Sequence, residues 1–122
     1  MIGGMLLAIA LQQLSSPQLA RWQDLGGQDG QHFAVDPQSV IRAGTRMSVN
    51  IRFRTQDEEG PVETVVRYSY DCSANTVTRE TADAYDGAGR FVGTITTPQP
   101  SRAIPALSIH ATVRDAFCGT AP

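Results

Sequence analysis

The chain has 122 residues, enough for one domain, with an ordinary apolar content and too little Gly and Pro for a fibrous or disordered chain. Its formal charge of -2 and isoelectric point near 5.5 argue against a nucleic-acid binder, which carries a basic balance. All ten basic residues are arginine, a rigid bidentate donor where lysine is a point charge.

Residues 1–20 contain no charged side chain, and Ile2 to Leu11 form an apolar run of ten. The run is too short to span a bilayer and has the length of a signal-peptide apolar region. The expectation is a signal peptide over 1–20, cut after Ala20, and a single mature domain over 21–122. The other reading is an apolar helix that packs within the fold. No cysteine sits at the end of the run, so neither a lipid anchor nor a membrane span is expected of the mature chain.

Arg21-Trp22-Gln23-Asp24-Leu25 leads into Gly26 to Gly30, whose glycines and Asp29 read as a loop. Gln31 to Val35 reads as a short strand, Asp36-Pro37 as a turn, and Ser39 to Arg42 as a second short strand ended by Ala43-Gly44. The clearest pattern follows. Met47, Val49, Ile51 and Phe53 alternate with Arg46, Ser48, Asn50, Arg52 and Arg54, which predicts a strand with one dry and one wet face. Gln56 to Pro61 reads as a loop, and Val62 to Cys72 as the returning strand. Pairing Thr55 with Val62 sets the apolar residues opposite Thr64, Val66, Tyr68 and Tyr70, Arg54 opposite Glu63, and Arg46 opposite Asp71. A slip of one residue would set apolar against polar, so patterning selects this register or one of the same parity.

Ser73-Ala74-Asn75 is the next turn. Thr76 to Tyr85 reads as a strand whose faces do not separate, because Val77 and Tyr85 share parity with Arg79 and Asp83. Asp86-Gly87-Ala88-Gly89 is a hairpin signal leading to a strand over Arg90 to Thr96. Pro98, Pro100 and Pro105 exclude a central strand and suggest extended chain crossing the sheet. Ser108 caps a predicted helix with Ile109, Val113, Ala116 and Phe117 facing inward and Gly119 placed to stop it. Such a helix is too short to stand alone in water and must lie on the sheet. The fold class is α+β: an antiparallel, mostly meandering sheet of about five to six strands packed against a short C-terminal helix.

If the chain is exported, Cys72 and Cys118 have only each other as intrachain partner, and they lack the close spacing of redox motifs. A structural disulfide tying helix end to sheet is therefore read in preference to a reactive pair, contributing about 4 kcal/mol in the chain-entropy model. His32 and His110 have no acidic or Cys partner at ligand spacing, so no metal or other cofactor is expected. No nucleophile motif, phosphate loop or paired acid and base stands out, and an enzyme is not expected. Arg46, Arg52 and Arg54 share the wet face of one strand, with Arg67 opposite Asn50 on the next. This is a candidate face for a protein's carboxylates or an acidic polysaccharide, set against the reading of a solvated face with exposed cross-strand pairs.

Taken in order, these residues resemble the bacterial surface-adhesin protein E family. The resemblance runs from Trp22 to Cys118. It rests on Trp22-x-x-Leu25, the Gly/Asp loop, Val35-Asp36-Pro37-x-Ser39-Val40-Ile41-Arg42-x-Gly44, the long hairpin, Tyr70-Asp71-Cys72, Tyr85-Asp86-x-x-Gly89 and a final helix closing at Cys118. It implies an antiparallel sheet against a C-terminal helix with the cysteines paired. The family's namesake is an outer-membrane lipoprotein that binds host proteins such as vitronectin and laminin; no motif here lets its binding residues be carried over. The resulting expectation is an exported, non-enzymatic binding module at the bacterial envelope or surface. The alternative is a soluble periplasmic structural or inhibitor-like protein with no host ligand. A third, weaker reading is a small hydrolase or carrier with a pocket between helix and sheet.

Overall fold

The computed structural model describes residues 21–57 and 60–118. The segment expected to be a signal peptide, the tip at 58–59 and Gly119 lie outside the described residues. Six strands form an antiparallel meander: β1 (Gln23–Gln28), β2 (Gln31–Ala43), β3 (Arg46–Asp57), β4 (Gly60–Asp71), β5 (Thr76–Tyr85) and β6 (Phe91–Ile95), hydrogen-bonded in that order. A two-residue strand, β7 (Arg102–Ala103), pairs with β5, and a nine-residue helix, α1 (Ile109–Phe117), follows.

The β3–β4 pairing is unbroken and follows the predicted register: Thr55 lies opposite Val62, Ile51 opposite Val66, Met47 opposite Tyr70 and Arg54 opposite Glu63. The predicted loop at 56–61 is shorter than expected, since pairing continues through Gln56↔Pro61 to Asp57↔Gly60. The other successive pairings, from β1–β2 to β5–β6, each carry a shift of register, and there the sequence reading needs correcting.

The expected loop at 26–30 is largely strand. β1 includes Gly26 and Gly27, a bulge at Leu25 absorbs the irregularity, and the turn narrows to Asp29-Gly30, both at positive φ. The two predicted short strands around Asp36-Pro37 are one strand of 13 residues. The turn chemistry at Asp36 is real, with the Gln38 amide donating to its carboxylate at 3.0 Å, but it builds a bulge and not a reversal. Ser39 Oγ donates to the Asp36 carbonyl at 2.7 Å and accepts from the Asn50 amide at 2.8 Å, bridging the gap in the ladder.

In β5, Glu80 is the extra residue between the pairs Arg67↔Thr81 and Tyr68↔Arg79. Val77 and Arg79 therefore face the helix side before the bulge, and Ala82 and Ala84 after it. The mixed parity of this strand has that cause. The proline-containing segment does not cross the sheet. It follows the free edge of β5, with the Gln99 amide donating to the Arg79 carbonyl at 3.0 Å and Arg102 paired with Val77.

Val35, Met47, Val49, Ile51, Tyr70 and Val77 form the buried side of the sheet, and Ile104, Ala111 and Val113 close over them. Full burial of each large apolar side chain contributes about 1.5–3 kcal/mol. Ser108 caps α1, accepting from the Ala111 amide at 3.1 Å. Of the predicted inward face, Val113 is buried and Ile109 and Phe117 pack against the core, whereas Ala116 is exposed; His110 and Ala111 are buried in addition. Cys72, the first turn residue after β4, is disulfide-bonded to Cys118, the C-cap of α1, across 46 positions.

Candidate binding surface

The face away from the helix carries the arginines singled out in the sequence. Period-two alternation places Arg46, Arg52 and Arg54 along β3, and register sets Arg67 opposite Asn50. Their surroundings differ. Arg67 donates to Asn50 Oδ1 at 3.0 Å and to Ser48 Oγ at 2.7 Å. Arg54 pairs with Glu63 at 2.7 Å, an exposed contact of small value. The Arg52 guanidinium lies 4.9 Å from the centre of the Trp22 ring, a cation–π contact worth about 0.5–1 kcal/mol at an exposed site. Arg21 flanks the same ring and bridges at 2.7 Å to Asp36, which is 1% exposed.

Arg46 has the register of a partner for Asp71 but no close ion pair with it. The Asp71 carboxylate accepts from the amides of Ser73 and Ala74 and from the Ser73 hydroxyl. Those bonds, that of Ala74 first, hold it below the usual carboxylate range, with Arg46 adding a weaker attraction. The four arginines are thus brought to one face, and three of them are engaged by neighbours on that face.

At the end of the sheet opposite the disulfide, an open bowl of roughly 600 Å³ lies between the β1–β2 and β5–β6 turns. His32, Arg54, Glu63 and Asp86 line it. Strands near both edges contribute, so the sheet curls over its outer face here. His32 is paired with Asp24, and Asp86 accepts from the amides of Ala88 and Arg90, so its carboxylate fastens the hairpin turn. Among the described residues, no group of His, Cys, Asp and Glu is arranged to hold a metal ion.

The sheet edges are unlike each other. β1 is broken by the Leu25 bulge, contains two glycines and carries Asp24, devices that blunt an edge. β6 shares a bulge, at Val92, and a glycine, Gly93, but has no charge to match Asp24. Its sequence, Phe-Val-Gly-Thr-Ile, is uncharged, and Phe91, Val92 and Ile95 are 59, 66 and 49% exposed. The whole arrangement, from Trp22 through the curled meander to the helix fastened at Cys118, matches a known family: the surface-adhesin protein E model fits residues 22–119. The chain belongs to that family. No curated protein and no solved structure matches it.

An exposed sheet edge as a contact surface was open to sequence reasoning, but not its place at β6, because the strand was legible and its position at the border of the sheet was not. Sequence reasoning also missed the Trp22–Arg52 stack and the role of His110. His110 Nδ1 lies 2.8 Å from the Tyr70 hydroxyl within the core, and its ring meets Tyr68 edge-on at 4.5 Å. Burial lowers the His110 pKa to about 4, with the charge of Arg102 adding to the effect, and burial raises that of Tyr70. Both stay neutral near pH 7, so the contact is a neutral hydrogen bond whose direction is set by the His110 tautomer.

Proposed function

We propose that this member of the surface-adhesin protein E family is an exported, non-enzymatic binding module of the bacterial envelope. In this reading it holds a partner protein by strand addition at β6. The observation that carries it is the β6 edge, an uncharged border strand with three exposed apolar side chains. Such an edge offers a row of main-chain donors and acceptors, with side-chain contacts for specificity. The oxidised Cys72–Cys118 pair supports export, since disulfides persist in oxidising compartments.

Localisation is tested first, by treating intact cells with protease beside a periplasmic control. Digestion with the control intact supports surface display. Protection until the outer membrane is opened favours the periplasmic structural or inhibitor-like role. The contact itself is tested on immobilised vitronectin and laminin with Val92→Lys, which places a charge on the edge. Retention of the wild type and loss of the variant is expected. Equal retention of both removes β6 as the contact.

A further inference from the structure

Strand addition at β6 leaves the bowl at the far end of the sheet unused. Its volume of roughly 600 Å³ falls within the roughly 300–1,000 Å³ of small-molecule sites. Register lays one row of side chains across five strands here: His32 opposite Arg54, Arg54 opposite Glu63, Glu63 opposite Tyr85, and Tyr85 opposite Phe91. Residues directly opposite each other share a face of the sheet. Tyr85 thus stands between two lining residues, as cross-strand neighbour of Glu63 and chain neighbour of Asp86. Phe91 meets its ring edge-on at 5.9 Å. The row passes from an imidazole through an ion pair to an aromatic border.

Polar atoms remain open along it. Among the described residues, Arg54 and Glu63 are joined through Nε and Oε1, which leaves the terminal nitrogens of Arg54 and Glu63 Oε2 without a partner. Asp86 likewise spends Oδ1 on the amides of Ala88 and Arg90 and keeps Oδ2. Solvent reaches these groups: the side chains of Arg54 and Glu63 are 51 and 29% exposed, and Asp86 is exposed. The bowl therefore offers donors and acceptors side by side, with both signs of charge and only polar side chains in its lining.

We infer that the bowl binds a neutral pyranose at the end of a glycan. An anion would meet Glu63 and Asp86, and a cation would meet Arg54. A hydroxyl donates and accepts at once, so a neutral polyol satisfies both sets. Neighbouring ring hydroxyls take the Arg54 fork and Glu63 Oε2, a third reaches Asp86, and the C–H face of the sugar packs on Tyr85. A peptide strand finds no ladder in this wall. Its backbone is closed into a turn by the Asp86 amide on the Arg90 carbonyl at 2.9 Å and the Gly89 amide on the Asp86 carbonyl at 3.0 Å. The same sugar chemistry occurs on host glycans and in a bacterial wall, and the choice of probes separates the two sources.

The test is NMR titration of the ¹⁵N-labelled protein, following the amides of Gly30, Gly87 and Gly89 in the bowl. Methyl β-galactopyranoside and methyl α-mannopyranoside represent host glycan ends, and N,N′-diacetylchitobiose represents the amino-sugar chains of a wall. Methyl β-glucuronide and acetyl-arginine-amide are the charged controls. A saturable shift with at least one neutral sugar is expected below about 50 mM, and the sugar that gives it names the source. Arg54→Gln weakens that binding about tenfold or more. Arg54 is half exposed and its pairing with Glu63 is of small value, so this variant keeps the fold. Val92→Lys leaves the shift unchanged, so the sugar site stands or fails apart from the β6 contact. The proposal is overturned by the absence of a saturable shift with every neutral sugar, by an equal or stronger response to a charged control, or by undiminished binding to Arg54→Gln.

Discussion

The Tyr70–His110 pair joins helix to sheet with a neutral hydrogen bond in a place where a charge is costly. Burial holds the His110 pKa near 4, whereas an unfolded histidine titrates near 6.5. Between those values the unfolded chain takes up a proton that the native chain refuses. This contribution to stability is therefore complete above pH 6.5, is lost progressively down to pH 4 and is level below it, with a total of no more than about 3 kcal/mol. His110→Leu removes the titration and orphans the Tyr70 hydroxyl, at a cost of about 1–3 kcal/mol. Urea midpoints across this pH range measure both effects. The gap between wild type and variant is expected to narrow as the pH falls, and a constant gap would show that His110 is not the titrating group. On the outer face the partners of Arg67 among the described residues, Asn50 and Ser48, are neutral. Arg67→Ala is expected to cost about 1–2 kcal/mol in the same assay, with Arg67→Lys recovering little because it cannot reproduce the fork.

The bulge in β2 shows how one hydroxyl keeps a long strand intact. Ser39 serves the Asp36 carbonyl and the Asn50 amide at once, at the point where Pro37 supplies no N–H. Ser39→Ala leaves both groups without that partner and is expected to cost about 2 kcal/mol, with faster hydrogen exchange at the Asn50 amide. Unchanged exchange would mean that water replaces the hydroxyl without loss. The same bulges explain what could be read from the sequence. β3 and β4 keep strict alternation, so a single parity satisfied both, and the register followed. β5 changes face at Glu80, and no periodicity survives such a change. Gly26-Gly27 carries turn composition and yet sits in a strand, because a neighbouring strand supplies the hydrogen bonds that propensity does not see. The helix was legible in position and, through Ile109, Val113 and Phe117, in most of its inward face; periodicity left out His110, which Tyr70 meets across the sheet. The outer arginines, with Glu63 opposite Arg54 and Asn50 opposite Arg67, were placed by alternation and register; the Trp22 stack on Arg52 came from the N-terminal approach that patterning leaves open.

The molecule as a whole is divided end to end and face to face. One end carries the disulfide, the other the bowl and the β1–β2 and β5–β6 turns; one face is closed by α1, the other carries the arginines. The helix side depends on the disulfide. Nine residues are too few to hold a helix in water, so α1 persists through Val113, Ala111 and His110 and through the link at its C-cap. Closing 46 positions restricts the unfolded chain by about 4 kcal/mol, a large share of the roughly 5–15 kcal/mol of a whole domain. Reduction is therefore expected to lower Tm by about 15–30 °C, measured by circular dichroism with and without dithiothreitol. A fall of only a few degrees would mean that packing alone seats the helix. The β6 edge draws its order from β5 and keeps it as long as the sheet stands. Reduction under conditions that preserve the sheet should thus leave retention through β6 intact. Loss of that retention would show that helix and sheet unfold as one unit.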